Sequence, residues 1–293
     1  MMAMNHAIGQ KISVSITDEN ATDYFAQKDG FTYRIKKTEL KKKHQISDAI
    51  TGFAYENEQH QLQLTTKIPR VQLARYDFAP VVSVRRDLGV FVDIGLPDKD
   101  VVVSLDEMPS SNALWPARGD YLYIRLTVDK KGRLWGTLAD DEQFEKMAKP
   151  ATTDMQNANV QVTVYRLKAV GTYVFTAEHH LGFIHPSERE QEPRLGQHLN
   201  ARVIGVRPDG ILNLSLRPRA YEAIGDDAQM ILAVLKHQPE GQIPYTDKSS
   251  PEAIRQYFGI SKGQFKRALG HLMKAGVIKQ TDGKTILLPQ DTH

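Results

Sequence analysis

The feature that most constrains this chain is a run of short strands that occurs twice. Between residues 71 and 140 the order is "PVVSV", "LGVFVDIG", "DVVVSL", "YLYIRLTV" and "RLWGTLA". Between residues 151 and 220 it is "VQVTVYRL", "GTYVFTA", "LGFIHPSE", "GQHLNARVIGV" and "ILNLSL". Each copy reads as strand, glycine-led aromatic strand, short strand ending in a Ser/Glu-type turn, long strand, hairpin and final strand. Phe91 falls opposite Tyr173, Gly119 opposite Gly196, and the hairpin at Asp129 and Gly132 opposite that at Asp209 and Gly210. Short strands in this number leave edges exposed unless the sheet closes, so each copy is expected to be a small antiparallel barrel. Residues 1–66 repeat the rhythm more weakly through "QKISVSIT", "FTYRI" and "HQLQLTTK".

Parity raises the functional question. Leu88, Val90, Val92 and Ile94 share one strand face and point toward a core, which leaves Gly89, Phe91, Asp93 and Gly95 on the other. A phenyl ring on an open face is suited to stacking against a flat partner. A bulge at Gly89 would reverse the parity and turn the ring inward. Both readings stand at the level of sequence. In the later copy Tyr173 and Phe175 share the corresponding face, and His185 comes from a neighbouring strand.

The rules change at residue 226. Met230, Ile231, Val234 and Leu235 have helical spacing; "SSPEAIRQYFG" opens on a Ser cap with Pro and ends on Gly259. "SKGQFKRALGHLMKAGVI" opens on Ser261 and is expected to bury Phe265, Leu269, Leu272 and Met273. Two strands follow around an Asp-Gly turn. Three helices and a hairpin make a winged helix-turn-helix. Lys262, Gln264, Lys266, Arg267, His271 and Lys274 lie off the apolar stripe, on the helix that enters a groove in such modules. The expected fold class is mainly β: tandem five-stranded barrels followed by an α+β winged helix-turn-helix domain. The segments run 1–66, 71–140, 151–220 and 226–293.

Composition removes several function classes. The 293 residues include no cysteine, which excludes disulfides, thiolate chemistry and cysteine-ligated zinc. His179, His180 and His185 cluster, but their spacing is not that of a zinc site, and no metal or other cofactor is expected. There is no Walker loop, His-Glu-x-x-His or nucleophile elbow, so no catalytic residue is assigned and the expectation is a non-enzyme. No apolar run approaches the roughly 18 residues of a membrane span, and the start lacks a signal-peptide pattern; a cytoplasmic protein with no membrane partner is expected. The net charge of +3 is modest. A polyanion would therefore be held by local patches together with stacking. The lysines of "RIKKTELKKKH", residues 36, 37 and 41–43, form either such a patch or a solvated connection.

Both copies resemble S1 domains, the five-stranded oligonucleotide-binding barrels of RNA-associated proteins, and "GFIHPSE" is similar to that family's glycine-apolar-apolar-His-x-Ser signature. Barrels followed by a winged helix resemble the conserved virulence factor B family of bacterial RNA-binding proteins. The resemblance implies single-stranded RNA binding and a regulatory role in gene expression or RNA metabolism. It places stacking rings at Phe91 and Tyr173 and the family's histidine at His185, with Phe175 beside them. Arg85, Arg86, Arg133, Arg202 and Arg207 near the barrel rims are the candidates for phosphate contact. Leu88 and Val170 stand where the family often has a second aromatic, and Ser104 stands where the earlier copy should have its histidine. Two other readings remain open. One is a DNA-binding transcription regulator led by the winged helix; the other is a scaffold docking on the ribosome or on RNA-processing enzymes.

Overall fold

Alternation decides where the strands form. In β1 (Lys11–Glu19) Ile12, Val14 and Ile16 are buried while their neighbours are exposed, the period of a sheet with one wet face. The computed structural model describes residues 7–217 and 225–288, which fall into two compact units, 1–216 and 217–293. The ends of three expected segments, at 1–6, 218–220 and 289–293, lie outside the described residues.

The first unit contains three closed five-stranded barrels of one topology. After β1 come β2 (Asp23–Lys28), β3 (Phe31–Lys36), β4 (Ala49–Glu56) and β5 (Leu62–Thr65). The second barrel comprises β6 (Asp77–Arg85), β7 (Gly89–Val92), β8 (Val101–Ser104), β9 (Tyr121–Val128) and β10 (Leu134–Leu138). A short helix, α1 (Asp141–Met147), leads to the third: β11 (Asn159–Lys168), β12 (Gly171–Thr176), β13 (Leu181–Ile184), β14 (His198–Val206) and β15 (Leu212–Ser215). In each, the first strand pairs with both the second and the fourth, and the third lies parallel to the fifth.

The first strand of every barrel carries a bulge at the same place, between Ile16 and Asp18, Val81 and Ser83, and Val164 and Arg166. An extra residue bends the strand, so one half can pair with each of two partners. The bulge is thus in β6 and not at Gly89. β7 keeps its parity, with Val90 and Val92 fully buried and Phe91 half-buried on the outside.

Gly89 has a different duty from the one its neighbourhood to Phe91 suggests. Its φ is +143°, and a Cβ there would sit 2.0 Å from the Val103 carbonyl oxygen. Gly171 repeats this with φ +153° and a Cβ 2.5 Å from the Phe183 ring. Both glycines let two backbones close together at the start of the aromatic strand.

Polar contacts weld the barrels. Tyr55 donates to the Asp98 carboxylate at 2.7 Å, Lys36 pairs with Asp98 at 3.2 Å, and Lys99 donates to the Glu56 carbonyl at 2.6 Å, joining the first barrel to the second. Burial, with the Asp98 carboxylate alongside, pushes the Tyr55 phenol well above its ordinary pKa. Between the second and third, Arg194 grips the buried Asp120 through two nitrogens at 3.0 and 3.1 Å. Capped by Asp140, α1 inserts Phe144, whose ring stacks on Tyr165 at 4.0 Å.

In the second unit, α2 (Asp226–His237), β16 (Gln242–Ile243), α3 (Pro251–Phe258), α4 (Lys262–Lys274), β17 (Ile278–Thr281) and β18 (Lys284–Leu287) form a winged helix. The wing is a three-stranded sheet, ordered β16-β18-β17, because β16 adds to the expected hairpin. Ala228, Ile231, Leu235, Ile254, Phe265, Leu269 and Leu272 fill the core. Met273, expected inside, is 41% exposed; Ala268 takes the inward position on α4.

The glycine geometry is testable. Gly89→Ala should destabilise the chain by at least about 2 kcal/mol, combining backbone strain with overpacking. Gly95→Ala, where a Cβ meets nothing within 4 Å, should cost only the strain of its left-handed backbone. Thermal unfolding of the two variants checks this; equal melting temperatures would contradict it.

Candidate nucleic-acid interface

Because the bulges coincide, the residue after each one faces the aromatic of the second strand. The resulting rows across each outer face are Asp18–Phe25–Arg34–Gln63, Ser83–Phe91–Val102–Trp135 and Arg166–Tyr173–Phe183–Asn213. Phe91 and Tyr173 therefore occupy equivalent positions. Phe25 is the first barrel's counterpart, and sequence reasoning missed it. Its signal was the Asp29-Gly30 turn, with φ +49° and +82°, which marks β2 and β3 as a tight hairpin.

The third barrel has the richest face. Tyr165, Tyr173, Phe183 and His185 form a ladder with successive centroid distances of 6.3, 5.2 and 6.5 Å, the first two contacts edge-to-face and the last tilted. Tyr173 and Phe183 are half-buried and His185 exposed. Lys168 Nζ sits 4.8 Å from the Tyr173 ring centroid. Asp141 holds both Lys168 and Arg166, at 2.8 and 2.9 Å, and its hydrogen bond raises the Lys168 pKa. Phe183 and Lys168 were also missed. Alternation along "LGFIH" puts Phe183 on the face of His185, so parity alone could have found it.

His185 has a structural task as well. Its Nδ1 accepts from the Ser187 backbone N–H at 3.2 Å, capping the turn that follows β13. Ser104 does the same after β8, its hydroxyl oxygen accepting from the Asp106 N–H at 3.2 Å. The serine that replaces histidine in the second barrel keeps the cap and loses the ring.

Phe175 does not join the interface. It lies on the outer surface of its barrel, as its parity requires, but only 3% exposed, because Phe144 of α1 packs edge-on against it at 5.4 Å. The rim arginines are engaged locally. Arg85 pairs with Asp87 at 2.8 Å, Arg207 with Asp209 at 2.9 Å and Arg133 with Asp129 at 2.7 Å. Arg86 donates to the Asn112 carbonyl at 3.1 Å and lies over Trp115. Arg202 is half-buried on β14, its Nε enclosed with no hydrogen-bond partner among the described residues. Partial desolvation raises the Asp129 pKa, but hydrogen bonds from Arg133 and from the Arg133 and Lys131 backbone outweigh it and hold the carboxyl at about 2. Asp129 is thus ionised at neutral pH and occupies Arg133. Exposed pairs of this kind contribute little stability, so an incoming phosphate can compete for the guanidinium.

On α4, Lys266, Arg267, His271 and Lys274 are exposed and Lys262 is half-buried. Gln264 is not free. Its side chain accepts from the Ser261 N–H at 3.1 Å in a capping box and donates to Asp227 at 3.3 Å.

Comparison with known proteins follows this module order. Residues 8–67 match the S1 domain family, 76–137 the CvfB first S1-like domain, 144–218 the second domain of virulence regulatory factor CvfB, and 229–287 the CvfB-like winged helix domain. YitL of Bacillus subtilis is 40% identical over 94% of this chain and 92% of its own length. Conserved virulence factor B of Staphylococcus epidermidis is 40% identical over 83% of this chain and 81% of its own.

The chain belongs to the conserved virulence factor B family.

A crystal structure of a multidomain protein with nucleic acid binding domains from Streptococcus pneumoniae is 52% identical, with a TM-score of 0.70 over 96% of this chain and 99% of that one. The family's barrels make the twofold role of His185 testable. His185→Ser should retain the turn cap, as Ser104 does, and melt like the wild type, whereas His185→Ala should cost about 1 kcal/mol of cap stability. Thermal unfolding that ranks the serine variant with the alanine variant would refute the capping role.

Proposed function

We propose that this protein is a non-catalytic, cytoplasmic binder of single-stranded RNA that regulates gene expression or RNA metabolism. The observation that carries the reading is the outer face of the third barrel, where Tyr173, Phe183 and His185 form a row of accessible rings flanked by Lys168 and Arg166. Flat rings accept any base face, while cations beside them meet the backbone. Phe25 and Phe91, at the same register, give each barrel one ring of this kind. The family's virulence regulatory factor and the nucleic acid binding domains of the Streptococcus pneumoniae relative support the regulatory and binding parts. Among the described residues no helix is long and apolar enough to cross a membrane.

The second unit adds a separate contact in this reading, because Lys266, Arg267, His271 and Lys274 leave one face of α4 exposed and basic. Lys266→Ala with Arg267→Ala in the full chain should lower affinity about evenly across sequences, as loss of phosphate contacts does. Loss confined to one duplex DNA sequence would instead favour a DNA-reading regulator.

Binding of a pyrimidine oligoribonucleotide should weaken with salt, with a log–log slope of about −0.7 per phosphate neutralised. Tyr173→Ala with Phe183→Ala should raise Kd by roughly 5- to 150-fold per stacked base lost, and the effect should persist at high salt. Asp129→Asn, which releases Arg133, should tighten binding at low salt. Fluorescence anisotropy measures all three, and unchanged affinity in the double variant would overturn the stacking face.

A further inference from the structure

Where the second and third barrels meet, the surface forms an open cavity of about 340 Å³. Phe78 and Tyr121 line it from β6 and β9; Gln161, Phe175 and His198 line it from β11, β12 and β14, and His179 from the turn after β12. Its rings pack in two tilted pairs. Tyr121 and His198 lie 4.6 Å apart at 43°, and Phe175 and His179 lie 5.5 Å apart at 58°. Among the described residues, no lysine, arginine, aspartate or glutamate lines the cavity.

This chemistry selects its occupant. A phosphate or carboxylate would find no countercharge there. By contrast, the cavity of about 560 Å³ beside the first barrel is lined by Lys37, Lys41, Lys42 and Lys43, and by Glu19, which pairs with Lys37 at 2.6 Å, so its charged lining is predominantly positive. The aromatic cavity suits a neutral, flat group with hydrogen-bonding edges. Suitable edges face it: the exposed Gln161 amide offers both donor and acceptor, and His179 is exposed. His198 Nδ1 is engaged with the Thr163 hydroxyl at 2.7 Å, and no hydrogen bond to its Nε2 is present among the described residues. The volume lies within the range of small-molecule sites.

We propose that this slot takes one unstacked nucleobase, drawn out of a bound single strand as it passes from the second barrel to the third. The proposal rests on the single-strand reading above and adds to it a site away from the outer ring face. A nucleobase can also arrive as a free nucleoside, so the test separates the two sources.

Oligoribonucleotides carrying 2-aminopurine at successive positions are titrated with wild-type protein and two variants. Ala177→Trp, at an exposed residue of the slot wall, fills it; Gln161→Leu removes an edge. Adenosine and uridine are titrated separately by calorimetry. The expected result is a fluorescence change at one position in the wild type. Ala177→Trp should lose that change and raise Kd by roughly 5- to 150-fold, the range for one base stacked on aromatic rings. Oligonucleotide binding with no responsive position, no effect of either variant and no nucleoside binding would overturn the slot and leave the RNA-binding reading intact. If oligonucleotides fail to bind at all, that reading fails. The slot then stands only if nucleosides saturate the wild type and not Ala177→Trp.

Discussion

Closure of each barrel through its bulged first strand is the constraint on which the rest depends. β1, β6 and β11 must serve two partners, β2 and β4 in the first barrel and their equivalents in the others, and one inserted residue supplies the bend. Once the ring of strands is closed, parity is fixed and aliphatic side chains such as Val90, Val92, Val174 and Ile184 fill the interior. Aromatic residues of opposite parity then have only the outer surface. The bulge also sets which residue stands beside each ring: Asp18, Ser83 or Arg166. In the third barrel Arg166 and Phe183 stand directly beside Tyr173, where Phe91 has Ser83 and Val102 and Phe25 has Asp18 and Arg34, which makes the three faces unequal in chemistry although identical in register.

Fusion of the barrels converts weak single sites into a linked set. The Arg194–Asp120 pair and the Tyr55–Asp98 hydrogen bond tie neighbouring barrels through side chains, and Phe144 wedges aromatic surface between the second and third. In the proposed reading, sites held on one frame present a second ring to the same strand at high effective concentration, so modest stacking at each sums to useful affinity. The same fusion creates the uncharged aromatic cavity at the junction, which neither barrel has alone.

Much of this was legible in the sequence because it is periodic. Alternation puts Phe91 and Tyr173 on outer faces provided no bulge falls at Gly89, the Ser and Gly signals bound α3 and α4, and the repeat exposes the common topology. What was not legible depends on tertiary neighbours. Phe175 has the parity of Tyr173, yet α1 covers it, and nothing in "DEQFEKM" announces where Phe144 will pack. Gly89 and Gly171 read in the sequence only as the glycines that lead an aromatic strand, whereas the close approach of the neighbouring strand requires them. Gln264 was readable as part of a Ser-x-x-Gln capping box and was instead counted among free polar groups. Charge alone marks the rim arginines, but aspartates two or four residues away hold Arg85, Arg133 and Arg207.

The most direct test is photo-cross-linking of the full chain to a pyrimidine oligoribonucleotide substituted with 5-iodouridine, with the adducts located by peptide mass spectrometry. Rings in face contact with bases should trap them, so adducts are expected on the peptides carrying Tyr173 and Phe183. Adducts confined to residues 226–293, with none on any barrel ring, would contradict the account.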